Sequence, residues 1–464
     1  MNLRGYDPMK EWNICDCGAK ISGSLQTKAI QKAIDECFFS GGGRVRIPCG
    51  VYLTGDIRLR SRVELYLESG AILLGSRNPE DYFSWRDDSI EPVPIEEIGD
   101  TPETSFSAVS TSRWSNGLIR AFDAEDIAVI GEKGSYIDGQ NCFDREGEEH
   151  YRGPHAMSFW RCKRIRLEGY TILNSANWAH AIFKSEDITA RNIAVYGGHD
   201  GFDVRTCDNV IVEDCLFDTG DDCIAGFDDK DVIVRNCILN SSCKSVRLGG
   251  TNVLIENCAS GQPQFGLRYR LSQDDKEKGA AAPSSYASGS RGYEMTFGYY
   301  CDHRAAIRNT PGNMVFRGFK AEKTAELIRL EFTGLHRWCC NRSLRDVTFE
   351  DCEFAGLFRP GMLWGDENEK VTCVFRNCTI SCEKGFEKEP LFVAGNYEKI
   401  VFDHCRIEGY ETPFIVSGTE GALEVIESTP VRVVSATREE CMELHPWGVL
   451  PADRAKKRTF SLKP

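Results

Sequence analysis

Through the middle of the chain, apolar and polar positions alternate in short segments that return at a nearly constant interval. These are IRLEGYTI from Ile165, ITARNIAV from Ile188, VIVEDCLF from Val210, VIVRNCIL from Val232 and VLIENCAS from Val253, with starts 23, 22, 22 and 21 residues apart. Alternation of period two, rich in β-branched residues, is the pattern of a strand with one face on a core. A repeat in the low twenties is too short for a helix pair or a propeller blade, but it suits one coil of a solenoid built from strands and turns. Leucine-rich repeats share the period, yet their Leu-x-x-Leu-x-Leu pattern is absent. The spacing therefore predicts an all-β parallel β-helix. Related segments recur as VTFEDCEF from Val347, VTCVFRNCTI from Val371 and IVFDHCRI from Ile400, so the coils are expected to run to about residue 435.

The ends and one interruption break this rhythm. Ala29, Ile30, Ala33 and Ile34 fall at helical spacing and are followed by Gly41 to Gly43, which predicts a helix capping the open first coil. Between the fifth repeat and Met314 the period fails. The expected organisation is one domain over 1–464, with an inserted loop at 271–312 over the cleft and a tail at 436–464. The aromatics Tyr286, Tyr293, Phe297, Tyr299 and Tyr300 of the insertion either stack on sugar rings or fold the loop onto the coils.

Charge and cysteine content narrow the partners. A formal charge of −14 argues against a nucleic-acid binder. No apolar run is long enough to span a bilayer, and the acidic, polar N-terminus does not read as a secretory signal, so a cytoplasmic protein is expected. The 21 cysteines are odd in number and several sit at one place in the repeat, as Cys215, Cys237, Cys258, Cys352 and Cys378. They read as small buried residues of a reduced core. Cys15/Cys17 and Cys339/Cys340 lack zinc-site spacing, so no metal is expected. The Asn or Asp preceding each repeated cysteine is expected to turn inward and bond its counterparts in adjacent coils.

The candidate chemistry is carboxylate chemistry. Asp221 and Asp222 are adjacent in Thr219-Gly220-Asp221-Asp222-Cys223, and His199-Asp200-Gly201 lies one coil earlier; the 21 residues from Asp200 to Asp221 predict that these two stack. Asp-Gly and Gly-Asp-Asp are also ordinary turn chemistry. Carboxylates held close raise one another's proton affinity, so one can keep a proton for a leaving oxygen while another activates water. Glycosidic hydrolysis needs that division.

With these residues in view, the chain resembles the polygalacturonases, glycoside hydrolase family 28, as a divergent member. The resemblance rests on GGGRVRIPCGVYLTGDIRLRSRVELYLESGAILLGS, on Asn174-Ser175-Ala176-Asn177-Trp178, on His199-Asp200-Gly201 and on Gly220-Asp221-Asp222-Cys223-Ile224-Ala225. It runs from about residue 14 to about 435. It implies a right-handed, single-stranded parallel β-helix of the pectin lyase-like kind and an inverting hydrolase needing no cofactor. Asp221 would be the acid, with Asp200 and Asp222 activating water. The implied substrate is an acidic, pectin-derived oligosaccharide; the long insertion, as a wall closing one end of the cleft, makes exo action the expectation.

Two departures accompany the resemblance. Cys243, in Ser242-Cys243-Lys244, stands where the family keeps a histidine; it reads as a further core cysteine, and either His199, His180 or Lys244 takes over the supporting role or the catalytic scheme differs. The family's Arg-Ile-Lys clamp appears as Arg268-Tyr269-Arg270. Cations two residues apart on a strand project to one side and grip a carboxylate, so Arg268 and Arg270, extended by Lys244 and Arg247, are expected to bind the uronate, with His199 and His180 nearby. Two other functions compete. One is a uronate lyase on the same fold, with calcium on the aspartates and Arg268 or Lys244 as base; the other is a non-catalytic carbohydrate-binding β-helix.

Overall fold

A computed structural model describes residues 9–82, 116–142, 153–265, 295–301, 307–332, 339 and 342–444. The sequence repeat is a physical stack: Ile165 pairs with Ile188, Ile188 with Val210, Val210 with Val232 and Val232 with Val253, always in parallel. All five are buried. A representative coil runs Phe202–Arg205, Asp208–Glu213 and Leu216–Thr219, one strand in each of three faces. Every ladder is parallel, and the whole is the right-handed parallel β-helix expected from the sequence. Beyond Val253 the register continues through Met314, Val347, Cys373, Ile400 and Leu423. The residue in step is thus Cys373, two places after the Val371 that the pattern suggested. The last strand ends at Ser435.

Part of the expected insertion is regular. Met295–Tyr299 is a strand that pairs with Lys244–Leu248 on one side and with Glu326–Arg329 on the other. It belongs to the sheet that carries the acids, here called the cleft sheet.

The corners explain the recurring Asn and Asp residues. Asp214, Asn236, Asp351 and Asn377 all have positive φ, near 55°. Asn and Asp tolerate this left-handed conformation better than other residues bearing a side chain. Asn236 Nδ2 donates to Asp214 Oδ1 at 3.2 Å and Asn377 Nδ2 to Asp351 Oδ1 at 3.1 Å. The inter-coil ladder exists, but it faces solvent, contrary to the inward turn expected. A left-handed corner residue points outward, and it is the following cysteine that enters the core. The thiols of Cys215, Cys237 and Cys258 donate to the carbonyls two residues before them, at 3.1, 3.2 and 3.4 Å. All 20 described cysteines are free. Deeper in, Phe316, Phe349, Phe375 and Phe402 stack with centroids 5.0, 5.0 and 5.1 Å apart, close to the separation of neighbouring strands.

Both ends of the solenoid carry a helix. Helix α1, Thr27–Phe39, buries Ile30, Ala33, Ile34 and Cys37 against the first coils, as its spacing predicted. Helix α2, Arg438–Leu444, lies within the segment expected to be a tail. Its Cys441 and Leu444 join Met362, Trp364, Val393, Phe414 and Val416 in one buried cluster on the cleft sheet. Among the described residues no helix is long and apolar enough to cross a membrane.

Candidate active site

Three successive coils of the cleft sheet deliver the site. Phe202 pairs with Ile224 and Ile224 with Val246, so the residues two places before them, Asp200, Asp222 and Lys244, stack in order. Gly201 N donates to Asp222 O at 2.9 Å. Asp200 therefore stacks on Asp222, and the expected Asp200–Asp221 stack is one residue out of register. Asp221 is held at the turn itself, its carbonyl accepting from Thr219 Oγ1 at 2.7 Å and from Ser241 Oγ at 2.6 Å. Ser241 Oγ also accepts from Cys243 N at 2.8 Å, tying the next coil to the same turn. Gly201 has no left-handed φ; a Cβ there would lie 2.5 Å from Phe217 Cδ1 and 2.7 Å from Cys223 O, so this glycine serves close approach, not turn flexibility.

The aspartates differ in surroundings. Asp200 is 4% exposed and Asp222 1%, whereas Asp221 is half-buried. Asp222 is bracketed by cations, with Lys244 Nζ 3.5 Å from Oδ1 and Arg247 Nη1 3.3 Å from Oδ2. Lys244 Nζ also donates to Cys243 Sγ at 3.2 Å, and the Arg247 guanidinium lies 3.9 Å over the Tyr300 ring. Burial works against the Lys244 ammonium, but Asp222 and then Cys243 outweigh it and raise its pKa. Burial likewise opposes the Arg247 charge, and Asp222 more than restores it. Burial pushes the Cys243 thiol well above its ordinary range, so it stays S–H.

Asp221, Asp222 and Cys243 each place one donor atom within 4.8 Å of the others. Two carboxylates and a thiol do not suit calcium, which takes six to eight oxygen ligands. The ammonium of Lys244 already lies against two of the three groups. A lysine whose pKa is raised is also a poor base, which removes one of the two residues that a lyase would use.

Several sequence expectations need correction. His180 does not face substrate. It is 0% exposed; its Nδ1 donates to Gly201 O at 2.8 Å and its Nε2 accepts from Tyr170 Oη at 2.9 Å. Burial lowers its pKa to about 4, against a smaller opposite effect of the Gly201 carbonyl, so the ring is neutral and braces the backbone beside Asp200 from within. His199 adjoins Asp200 and is 3% exposed. Cys243 is not in the core column; it stands half-buried at the acid cluster. Of the aromatics, Phe297, Tyr299 and Tyr300 are buried and offer no platform for a sugar, while Tyr286 and Tyr293 lie outside the described residues. Arg268 and Arg270 also lie outside them. The segment leading to them is anchored at the site, since Ser242 Oγ donates to Phe265 O and Gln264 N to the buried Asp218 Oδ1 at 2.8 Å.

Sequence reasoning passed over Thr219 and Ser241. They pair in register, 22 residues apart, so the repeat period that aligned the cysteines could have aligned these hydroxyls.

Fold and site together define a class: a parallel β-helix whose outward sheet carries three clustered aspartates beside one buried cation, Lys244, and one half-buried cation, Arg247. Within that class, residues 101–268, which include all three aspartates, match the model of glycosyl hydrolases family 28, and over this stretch the chain is similar to that family. A probable polygalacturonase of Vitis vinifera is 29% identical over 215 residues, covering 44% of this chain and 41% of the relative. An exo-poly-alpha-D-galacturonosidase of Dickeya chrysanthemi is 28% identical over 252 residues, covering 46% of this chain and 41% of the relative. The chain thus matches about two fifths of the length of each. Among solved structures, the family 28 exopolygalacturonase of Yersinia enterocolitica superposes with a TM-score of 0.65 at 18% identity, covering 92% of this chain and 78% of that one. That likeness concerns the fold.

Proposed function

We propose that the protein is a glycosidase that hydrolyses O-glycosidic bonds of acidic, uronate-containing oligosaccharides derived from pectin, with inversion. The observation that carries this reading is the inequality of the aspartates: Asp222 lies between Lys244 and Arg247, and Asp221 is the more exposed partner. Asp221 then gives its proton to the leaving glycosidic oxygen. Asp200 and Asp222 take a proton from the water that attacks the anomeric carbon from the opposite face. The polygalacturonase names of the relatives support a galacturonan-like substrate. Arg247 and, in the adjoining segment, Arg268 and Arg270 would receive its carboxylates.

The exo mode is supported by helix α2, which covers the outer face of the cleft sheet at one end. A cytoplasmic site of action is supported by the 20 free cysteines, which suit a reducing compartment. Asp221→Asn should lower kcat on oligogalacturonides by at least about a hundredfold with the fold intact, which circular dichroism checks. NMR of the first product should show the inverted anomer. Wild-type rates in the variant, or a retained anomer, would refute the assignment.

A further inference from the structure

Lys244 is an unusual neighbour for a pair of acids, because its whole side chain is laid along the cleft floor. Its carbons pass over Gly298 in the next strand, where a Cβ would come 2.5 Å from Lys244 Cδ and 2.9 Å from Cε. Gly298 lies between Arg247 and Arg329 in the outward-facing register of the sheet. A side chain at 298 would fill the channel that carries the lysine stem. The bare position therefore lets the ammonium reach Asp222 Oδ1 at 3.5 Å and Cys243 Sγ at 3.2 Å. Lys244 is 7% exposed, so this contact is not a loose surface pair.

We propose that Lys244 is a positioning residue that fixes which aspartate of the cluster carries the proton, and that Gly298 is the notch that lets it do so. The inference rests on the hydrolase reading. Among the described residues, the charged and titratable groups recorded against Asp222 or its cations enter the assignment. Asp221 comes from its own turn, Asp200 from the coil before, Cys243, Lys244 and Arg247 from the coil after, and Tyr300 through Arg247. Among the described residues, two further carboxyl groups and two cations thus surround one carboxylate. With Lys244 and Arg247 each lying against one of its oxygens, Asp222 is the aspartate held by two cations, and the inference assigns the proton shared by the cluster to Asp221. Removing the ammonium leaves Asp222 competing with Asp221 and Asp200 for that proton, which shifts the macroscopic titration of the whole cluster upward. Lys244 touches neither the leaving oxygen nor the water in this scheme.

The test compares Lys244→Met, Lys244→Arg and Gly298→Ala with wild type in two assays. In infrared titration of the purified protein, which needs no substrate, the band of protonated aspartate should persist to higher pH in Lys244→Met by about one pH unit or more. Gly298→Ala, which keeps the lysine but lifts it, should shift it less and in the same direction, and Lys244→Arg should restore the wild-type course. In kcat/KM against pH on a trigalacturonide, the acid limb should move by the same amounts. Coincident titration curves for wild type and Lys244→Met would overturn the proposal. So would a change in KM alone with an unmoved acid limb. If wild type cleaves no uronide at all, the hydrolase reading fails, and the infrared arm still decides whether Lys244 sets the proton's place.

Discussion

At the scale of single residues, the molecule separates groups that do chemistry from groups that hold them. His180 is the clearest of the second kind. Its neutral ring links Tyr170 to the carbonyl of Gly201, one peptide from Asp200. The folded imidazole refuses a proton that the unfolded chain accepts below about pH 6.5, so folding loses stability as pH falls from there to about 4. The loss amounts to roughly 3 kcal/mol. Chemical denaturation followed across that range should show this slope in wild type and a flatter one in His180→Phe; equal slopes would show that another group is responsible. Nothing in the sequence marked His180 as internal, because a histidine in a strand reads the same on either face. Cys243 was equally opaque. It looked like one more core thiol, and only the register shows it beside the acid pair instead of in the cysteine column. The three aspartates were legible, since an adjacent acid pair and a third acid one coil away have a spacing that a solenoid converts into contact. What was missed was which one stacks, a matter of one residue in the turn between Thr219 and Asp222.

At the scale of elements, most of the fold was already visible, because hydrophobic spacing in a solenoid is the coil itself. Ile165, Ile188, Val210, Val232 and Val253 are consecutive steps of one ladder, as their spacing implied. The corner residues were read in the right place but with the wrong orientation. Asn and Asp recur there because the backbone must turn left-handed, and this conformation sends the side chain outward. The two effects can be separated at Asn236, whose φ is 54°. Asn236→Ala should lower stability by about 1 to 2 kcal/mol from backbone strain. Asn236→Gly should be milder, within a few tenths of wild type plus the lost bond to Asp214. Urea denaturation checks both, and a glycine variant no better than the alanine one would mean that the ladder bond, not φ, sets the residue choice. The strand Met295–Tyr299 was not legible, since it lies in a stretch without the repeat's cysteine or its Asn/Asp corner.

At the scale of the whole molecule, the cysteines give a direct reading of state. Of the 20 described, only Cys15 and Cys49 are exposed, and most of the rest are buried in the solenoid core. A thiol reagent applied to the native protein should therefore label Cys15 and Cys49 first, and all 21 cysteines should become reactive in denaturant without a reductant. A shortfall in the denatured count would reveal disulfides and would argue against the reducing compartment proposed.

The regular pairing of the cleft sheet also turns it into a ruler. From Arg247 the outward-facing register passes to Gly298, to Arg329 and then to Met362, where helix α2 begins to cover the sheet. Three strand spacings of about 4.8 Å make roughly 14 Å between the cation that holds Asp222 and the covered end. On that side the sheet offers a floor of fixed length, and under the exo mode proposed above a chain pushed against its end would present a bond to the acids at a set number of units from its terminus. A solenoid has no intrinsic length, and a seven-residue helix docked on one face is enough to give it one.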